Sequence, residues 1–69
     1  MIEVASSAIA AIGYDVRSCT LLVRFTSGET YGYLDAPVGL LAEFIAAPSK
    51  GRFFHEHVDG RFRYERLVA

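Results

Sequence analysis

The residues best suited to chemistry crowd into the last third of the chain. Lys50, Arg52, Arg61, Arg63 and Arg66 lie there, interleaved with Phe53, Phe54, Phe62 and Tyr64. Cations meet phosphates, and flat rings or guanidinium planes stack on bases, so this mixture is what a single-stranded nucleic acid needs. The same aromatics have a competing role in the core, because a domain this small needs every ring it has for packing; the arginines would then merely solvate an edge strand. Charge is just as uneven. From Met1 to Ala47, Arg17 and Arg24 face Glu3, Asp15, Glu29, Asp35 and Glu43, a balance of −3. From Pro48 to Ala69, the five cations face Glu56, Asp59 and Glu65, a balance of +2. The formal net charge of −1 is the sum of these unlike parts. The overall pI of about 6.0 still argues against a general nucleic-acid binder, which is basic throughout.

Two other groups invite a chemical reading. In His55-Glu56-His57 the imidazoles are two residues apart, which on a helix turns them about 200° away from each other, whereas paired helical ligands sit four apart. A third ligand is also missing, so no metal site is expected. Both rings would add positive charge to the region below about pH 6.5. Cys19 is the only cysteine, and its place beside Thr20 and Leu21 suits a small buried hydrophobe. No phosphate loop, nucleophile elbow or zinc-type cysteine pair is present, so the sequence predicts neither enzyme activity nor a cofactor.

The frame that must hold these residues is small. The chain has 69 residues, 52% of them hydrophobic and 22% charged, which excludes a disordered chain and leaves room for a single domain, residues 1–69. A chain of this length buries only about 60% of its unfolded surface. The lone thiol fits a reducing compartment. Glu3 stands where a secretory leader would be positive, and no apolar run nears the roughly 18 residues of a membrane span. The expected setting is cytoplasmic.

Strand patterning is clearest at Thr20–Phe25, where Leu21, Val23 and Phe25 share a face. An earlier strand is expected over Ala8–Tyr14, after a lead-in from Ile2 to Ser7, although its alanines would suit a helix equally well; a third strand is expected over Glu29–Leu34. Between the last two, Thr26-Ser27-Gly28 suits a three-residue bulged turn, which puts Tyr31 and Tyr33 on the face of Leu21 and Val23. A two-residue Ser27-Gly28 turn would put them with Leu22 and Arg24 instead. Asp35-Ala36-Pro37 reads as a helix start, and Pro48 as the stop after Ala47. Val38, Leu41 and Ile45, flanked by Leu40 and Phe44, make its apolar stripe. Ser49 can cap a second helix through Val58, ended by Asp59-Gly60. The alternation of Arg61 to Leu67 predicts a final edge strand. The fold class is therefore α+β: a three-stranded antiparallel meander, two short helices and a C-terminal edge strand.

The sequence resembles the KTSC domain family, named for the C-terminal extension of some lysyl-tRNA synthetases and also found as small stand-alone bacterial and phage proteins. The resemblance lies in the order of its elements: Ser6-Ser7, Ile12-Gly13-Tyr14-Asp15, the strand Leu21 to Phe25 with Ser27-Gly28, and Tyr31-Gly32-Tyr33. Ala47-Pro48-Ser49-Lys50-Gly51, Phe53-Phe54 and Gly60-Arg61-Phe62-Arg63-Tyr64 complete it. It implies a non-catalytic domain for which RNA binding has been suggested. Carried onto this chain, Tyr31 and Tyr33 would stack, and Lys50, Arg52, Arg61 and Arg63 would contact phosphates. The other expected partners are a protein, or a second copy of the chain, meeting the same aromatic and arginine surface.

Overall fold

The computed structural model describes residues 1–67. The elements run β1 (Ile2–Glu3), β2 (Ile9–Asp15), β3 (Thr20–Phe25), β4 (Thr30–Tyr33), α1 (Gly39–Ala46), α2 (Lys50–His57) and β5 (Tyr64–Leu67). All five strands form one antiparallel sheet in chain order. The α+β class stands, but the sheet has five strands, not the four expected. The additional one is β1, which pairs Ile2 with Ile12 and Glu3 with Ala11; two residues are too few to carry an alternation of their own.

The β3–β4 hairpin fixes the direction of the tyrosines. Phe25 N–H donates to the Glu29 carbonyl (2.8 Å) and Gly28 N–H to the Phe25 carbonyl (2.9 Å), with Gly28 at φ +100°. This is the three-residue bulged turn, and its left-handed position favours glycine. Leu21 pairs with Tyr33 and Val23 with Tyr31, so both tyrosines share the face of Leu21 and Val23. The β2–β3 loop is tightened by Asp15 Oδ1, which accepts from Arg17 N–H (3.0 Å). It ends at Cys19, which has φ +53° and is exposed. Cys19 is thus a loop residue and not the buried hydrophobe its neighbours suggested.

Helix α1 begins later than expected. Asp35 has φ +56° and turns the chain; the cap position is Val38, with no side-chain capping bond. Val38 is 62% exposed, so the apolar stripe centres on Phe44, with Leu40, Leu41 and Ile45 half-buried around it. Ala47 is extended, as a residue before proline prefers. Ser49 caps α2 as expected, its hydroxyl oxygen accepting from Arg52 N–H (3.3 Å). Phe54 and Val58 then enter the core four residues apart.

Both helices deliver their buried residues to one core, where Phe44, Phe54 and Val58 meet Ile9, Ile12, Leu21, Val23 and Tyr33. The Tyr14 hydroxyl donates to the Ala36 carbonyl (2.6 Å), tying β2 to the approach to α1. The final strand is shorter than its alternation implied. Gly60 at φ +75° and the bond from Arg61 N–H to the Val58 carbonyl keep the chain turning there. Arg61 and Phe62 therefore precede the ladder, and Arg63 enters it only through its carbonyl, which accepts from Leu34 N–H (2.7 Å).

Candidate nucleic-acid interface

The register pairs Tyr33 with Tyr64 and Tyr31 with Arg66. These four side chains therefore lie on the core-facing side of the sheet, at its β4–β5 end. The Tyr31 ring packs edge-to-face on Phe25 (centroids 5.8 Å apart) and on Tyr64 (5.9 Å). Tyr33 contacts Phe54 (5.7 Å) and Tyr64 (5.9 Å). Exposure separates them. Tyr33 is 5% exposed and Tyr64 65%, with Tyr31 and Phe25 half-buried between. Burial, followed by the charge of Asp59 and by Tyr31 and Tyr64, pushes the Tyr33 phenol up to about 12. Tyr33 is thus a core ring at the base of an aromatic edge, whose accessible surface is supplied by Tyr31 and Tyr64. Tyr64 was legible as part of the alternating segment, but nothing in that pattern separated it from Phe62, which is half-buried against the core.

The candidate cations fall into two groups. Arg61 and Arg63 are exposed on the turn leading into β5, and neither has a side-chain ion pair among the described residues. Arg66 lies beside Tyr31 in the register and pairs with Glu29 (3.2 Å). Lys50 and Arg52 sit instead in the first turn of α2, separated from its last turn by roughly 10 Å of helix. Lys50 Nζ donates to the Ala47 carbonyl, and Arg52 Nε lies 3.3 Å from Glu56 Oε2. Both of these cations already have a partner within the chain.

The histidines diverge as helical geometry requires. His55 Nδ1 faces Asp59 (3.6 Å), whereas the His57 ring lies 4.6 Å from that of Phe53. Phe53 also lines an open cleft where α1 meets α2, with Ala47, Pro48, Ser49, Arg52 and Glu56. It is separate from the aromatic edge. Partial burial, and then the neighbouring Cys19 thiol, raises the Tyr14 phenol above its ordinary range. No described helix is long and apolar enough to cross a membrane.

The sequence profile of the KTSC domain matches residues 5–62. The chain belongs to the KTSC domain family. A crystal structure of a KTSC domain protein from Yersinia pestis is similar, with a TM-score of 0.88 and 39% identity over 96% of this chain and 93% of that one. A protein from Tsukamurella paurometabola is 46% identical over 91% of this chain and 94% of its own length. A lysine–tRNA ligase from a Nostoc species is 41% identical over 88% of this KTSC chain, which spans only 11% of that ligase.

Proposed function

We propose that this KTSC domain is a non-catalytic binding module that takes single-stranded or exposed segments of RNA along its β4–β5 edge. The observation carrying this reading is the open aromatic edge of Phe25, Tyr31 and Tyr64, bordered in sequence by Arg61, Arg63 and Arg66. Tyr31 and Tyr64 would stack on bases while Arg61 and Arg63 contact phosphates; Tyr33 would hold the platform from below. Lys50 and Arg52 would reach only a longer strand. Similarity to a relative named as a tRNA ligase supports RNA as the polymer.

Fluorescence anisotropy with a labelled single-stranded RNA tests it. If Arg61 and Arg63 alone meet phosphates, log K falls against log salt with a slope of about −1.4; if all five C-terminal cations do, about −3.5. The Arg61→Ala/Arg63→Ala variant should flatten that slope by about 1.4, and Tyr64→Ala should weaken binding by about 1–3 kcal/mol. A flat salt titration, or an unaltered double variant, contradicts the reading. The rival is a protein partner, favoured by the exposure of Tyr64 (65%) and Leu67 (42%) on one strand. Proteins retained in a pull-down after nuclease treatment, with no RNA binding in the titration, would select it.

A further inference from the structure

The outer edge of β5 carries a self-complementary charge pattern. All four of its residues are exposed. The Arg63 carbonyl bonds inward to Leu34, so by the alternation of the ladder the backbone groups of Glu65 and Leu67 also point toward β4. By the alternation of an antiparallel ladder, those of Tyr64 and Arg66 point outward, where they meet no strand among the described residues. Only a register that places outward groups opposite outward groups can join a second strand there.

For a second copy running antiparallel, three such registers are short enough to matter. Centring on Glu65 sets the two glutamates opposite each other at the closer, non-hydrogen-bonded spacing of about 4.5 Å, and centring on Arg66 sets two arginines opposite each other. Centring on Tyr64 avoids both clashes and joins the copies over Arg63 to Glu65, since Arg66 then falls opposite Phe62, which precedes the ladder. It sets Arg63 of each copy opposite Glu65 of the other, twice, at the closer spacing and on the side of the sheet facing away from the helices. The two exposed Tyr64 rings then meet at the axis, on the core-facing side.

We propose that two copies of this chain pair antiparallel through the outer edge of β5, with Tyr64 on the twofold axis and two reciprocal Arg63–Glu65 pairs. The product is a continuous ten-stranded sheet with both helix layers on one side. The opposite edge offers no equivalent, since β1 has two residues and a short edge strand discourages pairing. This inference does not rest on RNA binding; because it covers Tyr64 and Arg63, RNA on the same edge would compete with the dimer.

Sedimentation equilibrium of nuclease-treated protein tests it. The mass should rise with concentration from 7.6 kDa toward about twice that value, as isologous pairing requires. Arg63→Glu and Glu65→Arg, each at an exposed position, should leave the circular dichroism spectrum unchanged and weaken the dimer about tenfold through two like-charge pairs. The combined Arg63→Glu/Glu65→Arg exchange should restore it. A chain that stays monomeric into the millimolar range overturns the proposal. So does a dimer indifferent to both single changes, or one that the exchange fails to rescue.

Discussion

Tyr31 and Tyr33 are two residues apart on one face of one strand, yet their surroundings give them different work. Tyr33 faces Phe54 across the core, and burial raises its phenol to about 12 from an ordinary 10.0. The unfolded chain therefore releases this proton at lower pH than the folded one. Stability linked to Tyr33 is complete below about pH 10 and is lost as pH rises toward 12. Tyr33→Phe should flatten the alkaline limb of a stability–pH profile measured by urea unfolding; an unchanged limb would remove Tyr33 as its source. Between the two tyrosines, Gly32 turns to the other face, where an added Cβ would lie 2.9 Å from Thr20 Cγ2. Gly32→Ala should cost about 1–3 kcal/mol by overpacking, read as a lowered midpoint in denaturant.

At the scale of elements, what the sequence made legible was what local chemistry dictates. The β3–β4 register followed from Gly28, because the three-residue bulged turn needs a left-handed residue only at its last position, whereas a two-residue turn would need Ser27 left-handed. The α2 start followed from Ser49, and Ser49→Ala should lower stability by about 1 kcal/mol in thermal unfolding. The misreadings arose where one residue type serves two local geometries. Asp35 before Ala-Pro suits a helix cap, but aspartate also tolerates the left-handed turn it adopts here. Cys19 takes a similar left-handed position at the end of a loop, which removes it from the core. The alternation of Arg61-Phe62-Arg63 was real, but a strand also needs a partner, and β4 ends at Tyr33. For β1, the pairing comes from β2 and not from its own two residues.

At the scale of the molecule, the division of charge at Pro48 proved only part of the pattern. Folding divides the basic third again, leaving Arg61 and Arg63 on the turn into β5 and Lys50 and Arg52 at the start of α2. No sequence spacing could reveal this, because α2 lies between them and sets their separation. The candidate site was therefore legible in its residue types, and in Tyr31, Arg61 and Arg63. Tyr64 was legible only as one aromatic among several; its place beside Tyr31 and Tyr33 comes from the pairing of β5 with β4. Backbone-amide NMR of the isotopically labelled chain, titrated with a short single-stranded RNA at low salt, tests the central claim most directly. The account predicts shifts concentrated at Phe25, Tyr31 and Arg61 through Arg66, with little change in the cleft between α1 and α2. Shifts confined to that cleft, or none at all, would contradict it.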